Sequence, residues 1–289
     1  MSQETMYQET YPKLFALAYR MTGSVSDAED VIQDAWARLL SQPTGKVESP
    51  PKWLYRTVSN LSIDALRKAK RTDTGYHGPW LPEPVIADTY FRSPEAEAIV
   101  REDLSMALLL MLENLSPVQR AVWVLRTTLE LSFAEIGEIV DRSDQTCRQI
   151  YRRAAKRLPE SDGHRLSTAP SAMVETFLGA VQSGDAGAVA TLLLEDSTWI
   201  GDGGGVKPAT MRPVLGADKV ARGLTSLVSK FADKNVTYRA AVINEGIGLV
   251  VYDDDELDAV YLFLGTDTHI SHVLTVRNPH KLKGIKERV

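Results

Sequence analysis

From Tyr11 through Leu14, Phe15, Ala18 and Met21 the apolar positions step by three and four, which predicts a helix that Gly23-Ser24 breaks. Ser26, with Glu29 three residues on, predicts a capping box opening a second helix to about Leu40. Pro43, Gly45 and Pro50-Pro51 mark a loop. Ser49 is placed to cap a third helix, tolerant of proline in its first turn and running to about Arg71. Leu54, Val58, Leu61 and Ala65 make its apolar stripe. Ser93-Pro94-Glu95 opens a further helix whose apolar positions continue to Leu112. Ser116 with Gln119, and Ser132 with Glu135, repeat the capping-box signature. Residues 171–194 keep a helical period, and beyond Ser197 the alternation becomes that of strands: 236–242, 248–252, 258–264 and 270–276. Two helices followed by an antiparallel sheet predict a separate α+β domain.

Proline and glycine divide the chain. Gly75, Gly78, Pro79, Pro82 and Pro84 punctuate a linker, as do Pro159, Gly163 and Pro170. The expected organisation is a helical domain over 1–73, a linker over 74–93, a second helical domain over 94–160, a linker over 161–169 and the α+β domain over 170–289. A length of 289 residues suits two or three domains, and 44% apolar residues suffice for their cores. The net charge of −5 excludes a simple polycation, so any nucleic-acid surface must be local. Cys147 is the single cysteine, which excludes an internal disulfide framework and suits a reducing compartment. No apolar run reaches membrane-spanning length and the first residues are unlike a signal peptide, so a cytoplasmic location away from membranes is expected.

Three surfaces carry candidate chemistry. Residues 132–157 read as a short amphipathic helix, a tight turn and a second helix rich in arginine, the pattern of a helix-turn-helix. Near the start of that second helix, Gln145, Thr146, Arg148 and Gln149 have side chains suited to base edges. Arg152, Arg153 and Lys156 further along suit phosphates. A solvated basic helix is the plainer alternative. On the third helix Arg56, Asn60, Arg67 and Arg71, with Lys68 beside them, share a polar face that begins near Trp53 and Tyr55. That face fits an unpaired strand with stacked bases, and equally a helix whose Trp53 is core. Asp27, Asp30 and Asp34, flanked by Gln33, form an acidic stripe on the second helix. It suits a basic protein partner or simply solvent.

In this order the three surfaces resemble bacterial RNA polymerase sigma factors of the extracytoplasmic-function type, over about residues 5–158. The stretch 27–36 resembles the region that docks on the polymerase clamp, which implies polymerase binding by Asp27, Asp30, Gln33 and Asp34. The stretch 53–60 resembles the segment that melts and reads the minus-ten element, with Asn60 near a flipped base. Residues 116–158 resemble the region that reads the minus-35 element. Trp80-Leu81-Pro82-Glu83-Pro84 resembles a linker motif of sigma-J-type factors, which carry a SnoaL-like C-terminal domain. Asp202-Gly203-Gly204-Gly205 resembles their Asp-Gly-Gly-Gly-Lys motif, with Val206 at the lysine position and Lys207 following. Asn278-Pro279-His280-Lys281-Leu282 resembles their Asn-Pro-Asp-Lys-Leu motif, with His280 for the aspartate. The implied fold is multidomain: two all-α sigma domains, the second with a helix-turn-helix, and a C-terminal α+β SnoaL-like cone.

The resemblance implies a promoter-directing subunit, with core polymerase and promoter DNA as partners, no metal and no cofactor. It also implies contacts between the C-terminal domain, the linker and the tail that modulate activity, and a pocket open to a small molecule of unstated class. Two other readings stand beside it. One is a ligand-responsive DNA-binding regulator acting alone; the other is a bifunctional protein with an isomerase or cyclase domain. Enzymatic chemistry would need an acid or base in an apolar cavity. Asp202, residues 253–255, Asp258, His269 and His272 supply only scattered candidates, so no enzymatic activity is expected.

Overall fold

The computed structural model describes residues 3–43, 46–72, 76–86, 104–158, 167–231 and 234–286. Their contacts form two compact units. Among the described residues the first holds 3–43, 46–72, 104 and 108–158, and the second holds 76–86, 105–107, 167–231 and 234–286.

The first unit is helical: α1 (Gln3–Thr22), α2 (Val25–Leu40), α3 (Pro50–Thr72), α4 (Met106–Leu112, which enters this unit at Leu108), α5 (Pro117–Thr128), α6 (Phe133–Val140) and α7 (Asp144–Arg157). Ser24, not Ser26, caps α2, its side chain accepting from the Asp27 amide at 3.2 Å. Thr22 Oγ1 accepts the Ser24 amide, so the chain has turned two residues earlier than the spacing suggested. The Ser116–Gln119 and Ser132–Glu135 capping boxes form as expected. The helix expected to run from Ser93 to Leu112 is not continuous: Leu104 and Ser105 are non-helical and α4 begins only at Met106, while the stretch before Leu104 lies outside the described residues. The buried side of α3 also differs from the predicted stripe. Leu54, Val58, Ile63 and Leu66 are buried with Ser59 and Ser62, while Leu61 and Ala65 are only partly covered. Small hydroxyls let this face pack closely, and Ser59 returns its hydroxyl to the Tyr55 carbonyl at 2.7 Å.

Arg120 of α5 is 1% exposed in the centre of this unit. Its Nε donates to Leu112 O at 3.1 Å, Nη1 to Met21 O at 2.8 Å and Nη2 to Glu113 Oε1 at 2.7 Å. The Met21 carbonyl lies in the last turn of α1, where carbonyls lack helical partners and the dipole favours a cation.

The second unit contains α8 (Ser171–Gln182), α9 (Ala186–Thr191), α10 (Ala217–Phe231) and α11 (Pro279–Lys286). Its six strands are β1 (Leu193–Asp202), β2 (Val214–Leu215), β3 (Val236–Ile243), β4 (Gly246–Asp253), β5 (Glu256–Gly265) and β6 (Ile270–Val276). The sheet order is β2-β1-β6-β5-β4-β3. This is the expected α+β, SnoaL-like fold, with corrections in detail. The sheet is mixed, because β1 runs parallel to β6. The helical stretch after 170 breaks at Gly184 and restarts under Asp185, whose Oδ1 accepts from Gly187 and Ala188. The first strand begins at Leu193, before Ser197. Helix α10 was absent from the predicted elements. Phe177, Val181, Val220, Leu224, Phe263 and Val273 anchor the core between helices and sheet. Asp254 and Asp255, both at positive φ, form the β4–β5 turn.

Candidate functional site

The α2 surface is arranged as its spacing predicts. Ala28, Val31, Ile32, Ala35 and Trp36 are buried, which leaves Asp27, Asp30, Gln33 and Asp34 exposed. Helix α3 exposes Arg56, Asn60, Arg67 and Lys68, with Trp53 and Tyr55 half-buried at its start. Arg67 pairs with Asp64 at 3.2 Å. Burial pushes the Tyr55 phenol up, so it stays neutral. The Arg71 side chain lies outside those described.

Helix α6, the turn and α7 form the helix-turn-helix. Ser143 caps α7 through the Thr146 amide at 3.2 Å. Asp141 closes α6 in the left-handed region at φ 55°. A Cβ on Gly137 would sit 2.4 Å from Arg142 O, so this turn requires glycine. Only Cys147 and Ala154 of α7 are fully buried. That narrow seam exposes Gln145, Arg148, Gln149, Arg152, Arg153 and Lys156, with Thr146 half-buried beside Ser143. Arg148 is partly committed within the unit: it pairs with Asp144 at 2.9 Å and lies 5.0 Å over the Phe133 ring. Cys147 is small core, and burial raises its thiol pKa.

In the second unit the three C-terminal motif segments meet around one carboxylate. Asp202 is fully buried at the end of β1. Its Oδ1 accepts from Tyr76 Oη at 2.5 Å and the Gly204 amide at 3.0 Å. Its Oδ2 accepts from the Leu81 amide at 2.9 Å and Lys281 Nζ at 2.7 Å. Lys281 also donates to the Leu81 carbonyl and lies 4.0 Å over the Trp80 ring. Asn278 caps α11 through the His280 amide at 3.0 Å, and its Nδ2 donates to Tyr76 Oη at 3.1 Å. Gly204, at φ +59°, passes so close to Asn278 that a Cβ would lie 2.3 Å from its Nδ2. Residues 81–86, including Pro82, Glu83 and Pro84, are buried. A second anchor pairs Val85 with Asn244 in both directions and bridges Ile86 to Ile243. Leu282 is buried beneath, while Pro279 is exposed.

The two departures from the family motifs fall where they cost this cluster nothing. Val206 and His280 are exposed. Lys207 turns instead to Asp258, 2.8 Å away. Asp258 also binds Arg277 Nη2 through both oxygens, at 2.9 and 2.8 Å. Burial opposes its charge, yet the bonds from Arg277 and Lys207 hold its pKa below the usual carboxylate value. Spacing pointed neither to Tyr76 and Asn244 nor to the meeting of Lys207, Asp258 and Arg277, because topology brings these residues in from separate segments.

Two chambers open beside the sheet. One, of about 290 Å³, has apolar walls that include Phe177, Leu224, Val236 and Phe263. The other, of about 250 Å³, is lined by Trp199, Thr210, Asp258, Thr275 and Arg277 among others. Leu227, Phe231, Val251 and Tyr261 line both. His269 and His272 line neither. Among the described residues no cluster of His, Cys, Asp and Glu is suited to a metal, and no helix is long and apolar enough to cross a membrane.

Residues 6–72 match the Sigma-70 region 2 family and residues 105–158 the Sigma-70 region 4 family. The ECF RNA polymerase sigma factor SigJ of Mycobacterium tuberculosis is 37% identical over 221 residues, 75% of this chain and 70% of SigJ. The probable ECF sigma factor SigI of the same species is 31% identical over 150 residues, 51% of each chain. The crystal structure of the M. tuberculosis extracytoplasmic function sigma factor SigJ matches with a TM-score of 0.78 at 29% identity, covering 98% of this chain and 99% of that one. With both sigma regions in place and more than two thirds of a 37% identical relative spanned, this chain belongs to the ECF RNA polymerase sigma factors, the subunits that direct transcription initiation at specific promoters.

Proposed function

We propose that α2 docks this chain on the clamp of the largest subunit of core RNA polymerase through Asp27, Asp30, Gln33 and Asp34. Arg56, Asn60, Arg67, Lys68 and Arg71 then serve the melted minus-ten element. Gln145, Thr146, Arg148, Gln149, Arg152, Arg153 and Lys156 serve the upstream element as duplex. The observation that carries this reading is the opposite sign of two exposed helix faces, acidic on α2 and basic on α7. An acidic face repels DNA and attracts a basic protein surface, so the two faces suit two kinds of partner. A polymerase subunit of this kind works in the cytoplasm.

The C-terminal domain modulates that activity by holding the linker. Asp202 and Lys281 grip the chain at Leu81, and Asn244 grips it again at Val85. It acts by binding, not by covalent chemistry. Asp202 carries four donors and Asp258 is engaged at both oxygens, so neither carboxylate is free to take a proton. The domain's chambers are suited to a small-molecule ligand that adjusts this grip.

Run-off transcription with purified core polymerase tests the assignment. Asp30→Lys with Asp34→Lys should abolish co-purification with core enzyme. Arg56→Ala with Asn60→Ala should keep co-purification but lose open complex. A regulator acting alone would instead bind duplex operator at full affinity without polymerase. That outcome, with polymerase affinity unchanged in the α2 variant, would sink the docking role.

A further inference from the structure

The second chamber contains polar groups that neither promoter recognition nor linker docking uses. Asp258 stands between two cations, Lys207 and Arg277, so the group carries one net positive charge. Arg277 places Nη1 on the Pro208 carbonyl at 2.6 Å and Nη2 on Asp258. Its Nε is buried and finds no acceptor among the described residues. A buried N–H without an acceptor is unfavourable, and an acceptor brought by a ligand offsets that cost. On the adjoining strands Trp199 Nε1 donates to Thr275 Oγ1 at 2.9 Å, and Tyr261 is the cross-strand neighbour of Thr275. Burial pushes the Tyr261 phenol up to about 12. The phenol therefore keeps its proton and remains a donor at physiological pH.

The first chamber supplies the opposite chemistry. Its walls are almost wholly apolar, and Val228 and Tyr238 carry that character out to the surface. Chambers of about 290 and 250 Å³ with four common wall residues reach the size of small-ligand sites, roughly 300–1,000 Å³. We propose that the two chambers bind one amphipathic monocarboxylic acid, its apolar body among Phe177, Leu224 and Phe263 and its carboxylate at Arg277 and Tyr261. A cation has no unengaged carboxylate to meet there. A dianion such as a phosphate monoester would face the Asp258 carboxylate at a site with only one net positive charge. A purely apolar molecule would leave Arg277 Nε unpaired.

This deepens the ligand reading above, and binding is measured without polymerase, so its failure is distinguishable from failure of the sigma assignment. The probe is decanoate, titrated calorimetrically into the full-length protein below its micelle concentration, with 1-decanol as the neutral control. Decanoate should bind once per chain and at least tenfold more tightly than decanol. Leu227→Trp, which fills the wall common to both chambers, should abolish binding. Lys207→Gln, at a partly exposed position that leaves the Asp258–Arg277 pair intact, should weaken decanoate at least threefold and leave decanol unchanged. The Lys207 variant decides the question if the tryptophan variant fails to fold. Equal affinity for acid and alcohol, decanoate binding that survives folded Leu227→Trp, or no binding to the folded wild type would each overturn the proposal.

Discussion

Asp202 is a buried carboxylate whose four acceptor positions are all filled, and Lys281, 11% exposed, supplies the one formal countercharge. Removing one partner of such a pair leaves the other's charge buried, which typically costs about 3–5 kcal/mol. Lys281→Met should therefore lower the urea midpoint of the second unit markedly. Asp202→Asn with Lys281→Met should cost less than the sum of the single changes, because the uncompensated charge is gone. Additive costs in that cycle would show that the two residues act independently. His272 gives a second prediction. Burial lowers its pKa, with Asp196 pulling the other way. The unfolded chain then takes up a proton near pH 6.5 that the folded chain resists, so stability is present above about 6.5 and lost as pH falls through it. The thermal midpoint should drop between pH 7.5 and 5.5, and His272→Gln should flatten that drop. Residues inside stretches that resemble family motifs, such as Asp202, Gly204 and Lys281, could be singled out in the sequence, and the structure brings them together. Tyr76 was not, because nothing in a lone tyrosine ahead of Trp80 says that a strand end 126 residues away will meet it.

Helix α7 depends on the turn before it. Gly137→Ala would force the α6–α7 turn apart, since the added methyl meets backbone that cannot rotate away. We expect a loss of roughly 1–3 kcal/mol in stability and a larger loss in duplex binding. Gly137→Ala melting like wild type would show that the turn has room. Arg152→Ala or Arg153→Ala should leave the fold unchanged, because both side chains are exposed on α7. Each should reduce the slope of log affinity against log salt by about one unit on promoter DNA. An unchanged slope would remove the phosphate role from that residue. Helices α5 and α6, which open with a serine and a glutamine or glutamate, were legible because capping is local chemistry, whereas the same signature at Ser26–Glu29 misplaced the start of α2. Helix α10 was missed although Val220, Ala221 and Leu224 keep a helical step, because the irregular stretch before it hid the change of period. The parallel β1–β6 pairing could not be read at all, since register between strands so distant in sequence is set by packing.

Across the molecule, a net charge of −5 is compatible with DNA recognition because positive charge is gathered on α3 and α7. Residues 76–86 belong by their contacts to the second unit, so the segment that leads out of α3 is held by the domain that follows the helix-turn-helix in sequence. If that grip tunes initiation, loosening it should change output without touching a DNA-facing residue. Asp202→Asn keeps the side chain's size but weakens its attraction for Lys281 and the Leu81 amide. In full-length protein it should speed protease cleavage within 76–86. It should leave affinity for core polymerase unchanged, since α2 is untouched, and shift run-off yield several-fold. Faster cleavage with unchanged yield would make the Asp202 cluster a structural fastening only. Unchanged cleavage would show that the Val85–Asn244 anchor holds the linker by itself, and Asn244→Ala in the same background should then release it.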